Sequence, residues 1–120
     1  MAQNVPPALE QEIQKFDTMR KNYETLSAIV QNSQVELSEI NATLEELKKQ
    51  PDDVVTYKTV GQVMFKVEKS ALVEDLDDKR QRIELRLASN KKQLETLTGK
   101  LQELQNKIQI ELSKQNLRLQ

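Results

Sequence analysis

The chain has no cysteine, no histidine and no tryptophan, and only two glycines and three prolines in 120 residues. Without cysteine there is no disulfide framework and no thiolate nucleophile. Without cysteine or histidine the usual zinc donor sets are excluded, and so is the side chain most used for proton transfer near neutral pH. Aromatic residues make up 3% of the chain and apolar residues 37%, against 31% charged. That is little material for a thick core and favours a thin architecture with a narrow apolar seam. Nor does one sign of charge dominate: 18 Lys and Arg face 19 Asp and Glu, a formal net charge of -1. A phosphate backbone calls for a clear basic excess. No apolar run approaches the roughly 20 residues that span a bilayer. The opening Met1-Ala2-Gln3-Asn4-Val5-Pro6-Pro7 lacks the charged and apolar regions of a signal peptide. These absences predict a soluble, cytoplasmic protein with no catalytic residues, no metal, no cofactor, no nucleic-acid partner and no membrane partner.

What is present reads as helix, short strands, helix, in one domain over residues 1–120. Pro6 and Pro7 are tolerated only at a helix start, and from there to Gln50 no proline or glycine interrupts the chain. The spacing predicts a first helix over about 7–50, stopped by Pro51. Val54 to Val67 turns rich in Val, Thr, Tyr and Phe around Gly61, which predicts a β-hairpin over about 54–68. Ser70 is suited to cap a second helix over about 70–116, with Glu74 and Asp75 in its first turns.

Both helical stretches carry heptads. In the first, Phe16, Met19, Tyr23, Leu26, Val30, Ser33, Leu37, Ile40, Leu44 and Leu47 alternate spacings of three and four. In the second, Val73, Leu76, Arg80, Ile83, Leu87, Asn90, Leu94, Leu97, Leu101, Leu104 and Ile108 do the same. A 3.5-residue repeat means a left-handed coiled coil, and the intervening turn makes its two helices antiparallel. Folding about residues 60 and 61 pairs Leu26 with Leu94, Ile40 with Arg80, Val30 with Asn90 and Ser33 with Leu87. Ser33 and Asn90 then sit in adjacent layers. They pin the coil register, or they are polar residues tolerated in a half-wet seam; the sequence leaves both open. Arg80 is expected to snorkel outward to acidic neighbours, and Gly99 to fall away from the seam.

In the hairpin, Val55 and Tyr57, then Val63, Phe65 and Val67, alternate with more polar residues, which predicts one apolar face, with Gly61 supplying the left-handed turn conformation. A lone two-stranded hairpin is marginal in water and has two free edges. Either it folds back on its own coil, or hairpins from several chains join into a closed sheet.

Val55-Thr56-Tyr57-Lys58-Thr59-Val60-Gly61-Gln62-Val63-Met64-Phe65-Lys66-Val67, set between two heptad helices, resembles the prefoldin family. There is room for one hairpin, as in its β-type subunits; the α-type subunits carry two. The resemblance covers nearly the whole chain. It implies a mainly α fold whose hairpins, from two α-type and four β-type subunits, form a β-barrel platform bearing six coiled coils. It implies an ATP-independent holdase that captures unfolded polypeptides at the coil tips and delivers them to a group II chaperonin. The subunit-assembly residues would be Val55, Tyr57, Gly61, Val63, Phe65 and Val67.

The tips would be the two chain ends, where both heptads are expected to break. Leu9 and Ile13 step out of phase before Phe16, and after Ile108 a seam position falls to Glu111 while Ile110, Leu112, Leu117 and Leu119 lie off it. Leu9, Ile13, Phe16, Ile108, Ile110, Leu112, Leu117 and Leu119 are therefore the candidate client-binding residues, since clustered exposed apolar groups mark binding surfaces; the plainer alternative is a frayed terminus. A coiled-coil tether binding one helical partner is the rival function, against which the hairpin argues.

Overall fold

A computed structural model describes the backbone of residues 5–119 and the side chains of residues 5–115. The element order is α1 (Pro7–Lys48), β1 (Thr56–Val60), β2 (Val63–Val67) and α2 (Lys69–Leu119). Helix α1 opens with Pro7 in its first turn, and the Glu10 N–H donates to the Pro6 carbonyl at 3.0 Å. It closes by tightening: the N–H groups of Lys49 and Gln50 donate three residues back, to Glu46 and Leu47, before Pro51 forbids another turn. A turn closed by the Val54 N–H on the Pro51 carbonyl, 3.1 Å, then leads to the strands.

Helix α2 begins earlier than its capping signal suggests. The Leu72 N–H donates to the Glu68 carbonyl at 3.1 Å. Glu68 is thus the residue before the first turn, and Ser70 lies inside it. The Lys69 ammonium fixes this start by donating to the Gln50 carbonyl at 2.7 Å, a cation on a carbonyl that the end of α1 leaves unsatisfied. Gly99 does not interrupt α2, and a Cβ added there would meet nothing within 4 Å.

The chain packs as two compact units. The hairpin unit is Val30–Ser89, and the terminal unit is Met1–Ile29 with Asn90–Gln120. In the hairpin unit the end of α1 and the start of α2 form a coiled-coil pair. Ile40, Leu44 and Ile83 make its centre, with Leu37, Val73 and Leu76 packed on them. Ile83 is 2% exposed, and Val30, Ser33, Leu47 and Leu87 are also buried. In the terminal unit the start of α1 lies against the end of α2, joined by Lys107 and Glu12 at 2.9 Å.

The strands pair antiparallel, Thr56 opposite Val67 through Val60 opposite Val63. The reversal therefore lies between Gly61 and Gln62, about a residue later than the expected axis. Gly61 has φ +61° and no other described residue has positive φ; glycine first and a negative φ second is the pattern of a type II′ turn.

Candidate functional site

Two surfaces stand out: the hairpin and the paired helix ends of the terminal unit. The hairpin register corrects the expectation of one apolar face. Opposite residues in an antiparallel pair share a face. The pairing therefore places Val60, Val63, Phe65 and Val67 with Thr56 and Lys58, and places Tyr57 and Met64 with Thr59 and Lys66. Tyr57 is on the opposite side from Phe65, and Val55 precedes β1 rather than belonging to it. A two-residue turn pairs even positions of β1 with odd positions of β2, so residues that alternate correctly within each strand still end on opposite sides.

Both faces are open. Tyr57, Val60, Val63, Phe65 and Met64 are each more than half exposed, Phe65 by 53%. Only the base of the first face is tied down. Thr56 Oγ1 donates to the Val67 carbonyl at 2.6 Å, and Lys58 reaches Asp75 of α2 at 3.5 Å. The closing Val60–Val63 pair exchanges hydrogen bonds, so bonding alternates along the ladder. The N–H and C=O groups of Tyr57, Thr59, Met64 and Lys66 therefore point outward from the two edges. Large apolar side chains on both faces and unpaired backbone on both edges make a surface suited to strand addition.

At the helix ends, α1 keeps its heptad further than expected. Positions 16, 12 and 9 continue the three-four spacing, and Leu9 is 4% exposed. Leu9 is thus a seam residue rather than a free client-binding one. The polar Glu12 between it and Phe16 hides the register in the sequence. Glu12 Oε1 accepts from Lys107 across the helices, while Oε2 is buried without a partner. That bond leads the causes that raise the Lys107 pKa. Ile13, by contrast, is 40% exposed, Ile110 56% and Leu112 41%. Phe16 and Ile108 are half-buried seam members. Leu117 and Leu119 lie outside the described side chains. Of the expected cluster, Ile13, Ile110 and Leu112 stand open, with Ile110 bordering a shallow groove along α2 with Gln109 and Ser113.

The polar seam positions differ from one another. Ser33 is buried and Asn90 half-buried. Arg80 behaves as its position predicts. Its guanidinium turns out to Asp77 (2.7 Å) and Glu84 (2.9 Å), and beside it the Asp77 carboxyl is held below the usual carboxylate range.

A family model described as "Prefoldin subunit" matches residues 10–115. The chain belongs to the prefoldin family. Within it, the similarity is to β-type subunits. The chain is 39% identical over 110 residues to prefoldin subunit beta of Thermococcus gammatolerans, covering 92% of this chain and 94% of that protein. It is 34% identical over 110 residues to prefoldin subunit beta of Pyrococcus horikoshii, with the same coverage. Among solved structures, the prefoldin beta subunit from Thermococcus strain KS-1 superposes with a TM-score of 0.79 at 33% identity, covering 90% of this chain and 95% of that one. As a prefoldin β-type subunit, the chain has two long helices and one hairpin, and assembly with other prefoldin subunits follows from that identity. Among the described residues no helix is long and apolar enough to cross a membrane, and no group of His, Cys, Asp and Glu could hold a metal ion.

Proposed function

We propose that the chain is a β-type subunit of a hexameric, ATP-independent holdase. In this reading its hairpin joins those of α-type and other β-type subunits in a β-barrel platform. Its helix ends hold unfolded polypeptides in the cytoplasm for delivery to a group II chaperonin, without catalysis. Family membership supports the overall reading. The single observation that carries the division of labour is the pair of open apolar surfaces, one on the hairpin and one at Ile13, Ile110 and Leu112. The hairpin residues adjoin one another, and the three helix-end residues lie within one unit. The first surface presents bonding edges for strands, and the second presents exposed apolar side chains, suited to clients of varied sequence.

Each tip side chain covered by a client contributes on the order of 1 kcal/mol through partial burial. That is weak singly and strong when several coils grip one chain. The test is aggregation suppression by the assembled complex carrying Ile13→Ser, Ile110→Ser and Leu112→Ser. These positions are exposed and Leu9 is untouched, so folding and assembly should survive. The expected result is an intact complex that no longer keeps a chemically unfolded protein in solution. Full suppression by the intact variant would contradict the tip assignment.

A further inference from the structure

Charge is not spread evenly over the chain. The terminal unit holds nine Lys and Arg against seven Asp and Glu, and the hairpin unit nine against twelve. The terminal unit is thus basic by two charges and the hairpin unit acidic by three, although the whole chain is nearly neutral. Within the terminal unit several carboxylates are already engaged. Asp17 pairs with Arg20 and Lys21, Glu24 with Arg20, Glu12 with Lys107 and Glu111 with Lys114. Lys15 on α1 and Lys100 on α2 make no ion pair among the described residues.

These two exposed lysines border the same place. Two adjoining shallow grooves share Lys15, Met19 and Lys100. One extends to Leu104 and the other to Leu97. Glu103 is the only carboxylate on their rims, and Lys107 there is already neutralised by Glu12. Met19, Leu97 and Leu104 supply the apolar part, with a thioether that reshapes easily, and Gln11, Gln14, Thr18 and Asn22 add neutral polar groups to the lining. The rim is cationic, with long stems that can lie over an apolar ligand while the ammonium groups reach its charges.

We propose that this groove selects among unfolded segments, taking those in which apolar side chains are interspersed with Asp and Glu. The inference rests on the holdase reading and adds to it a preference in client chemistry. An isolated exposed ion pair changes affinity only a few-fold. Two lysines per chain, repeated over several coils, steer encounter and bias retention together.

The test uses the assembled complex of full-length chains and two fluorescent peptides of equal length and apolar content, one carrying Asp and the other Lys at the same interspersed positions. Anisotropy titration should show the Asp peptide binding about fivefold more tightly at low salt, with the gap closing as salt shortens the screening length. Lys15→Glu with Lys100→Glu should reverse the order, and Lys15→Gln with Lys100→Gln should erase it. Both positions are exposed and off the seam, so helicity and assembled mass should be unchanged. Equal binding of the two peptides by the unmodified complex would overturn the proposal and leave the holdase reading standing, as would a preference for Asp that survives charge reversal. Binding of neither peptide would also overturn it, and aggregation suppression measured on the same sample tells whether the holdase reading falls too.

Discussion

In the hairpin unit seven heptad positions, Val30, Ser33, Ile40, Leu44, Leu47, Ile83 and Leu87, are buried, and Leu37, Val73, Leu76 and Arg80 are half-buried. In the terminal unit the same kind of positions, Phe16, Met19, Tyr23, Leu26, Leu94, Leu97, Leu101, Leu104 and Ile108, are half-buried, and among the described residues Leu9 alone is closed off. One periodic pattern thus gives two degrees of closure. Phe16, Met19 and Tyr23 are too long to be covered on all sides by a single partner helix, and the Leu positions of the same unit stay half-buried with them. The hairpin unit is also tied by the strand pair and by Lys69 on the Gln50 carbonyl. A seam that is tight beside an assembly element and loose beside a client surface is what the proposed division of labour needs.

The comparison can be broken most forcefully at its centre. Ile83→Ala should cost about 3 kcal/mol, because the site is closed and leaves a cavity. The equivalent truncation in the looser seam, Leu101→Ala, should cost about half as much, since water already reaches the site. Urea midpoints of the two variants measure the contrast, and equal losses would mean the seams are equally tight. Lys69→Met should cost about 1 kcal/mol, for a carbonyl left without its donor.

Two matching clusters sharpen the comparison through pH. Asp77-Arg80-Glu84 in the hairpin unit and Asp17-Arg20-Glu24 in the terminal unit have the same spacing. In both, hydrogen bonds from the arginine lead the causes that lower the aspartate pKa from 3.8. A lowered folded-state value means stabilisation that is present above the ordinary carboxylate pKa and lost as pH falls through the lowered one. Asp77→Asn should therefore flatten the loss of melting temperature below pH 4, and more than Asp17→Asn does, because Arg80 is the less exposed arginine. The smallest effect expected is a gain. Gly99→Ala should stabilise by about 0.7 kcal/mol, since α2 is regular there and the added methyl meets open space.

Much of this architecture is legible in the sequence, because heptad spacing, helix-stopping Pro51 and turn-forming Gly61 are local signals. The outward reach of Arg80 is legible too, since aspartate and glutamate stand three and four residues from it. What escaped depends on pairing. The two faces of the hairpin follow from which residue of β1 meets which of β2, and alternation within a strand does not reveal that. The burial of Leu9 is masked by a charged residue, Glu12, at the intervening seam position. The open groove around Lys15 and Lys100 joins residues from opposite ends of the chain, so no local pattern announces it.

The central claim is that the hairpin assembles and the helix ends hold. Native mass spectrometry of the chain co-expressed with an α-type subunit tests it most directly, on a variant carrying Phe65→Asp and Val67→Asp. Charges on that face would have to be desolvated in a closed sheet, at high cost. The prediction is loss of the hexamer mass with far-UV helicity largely retained. A hexamer of undiminished abundance would contradict the account.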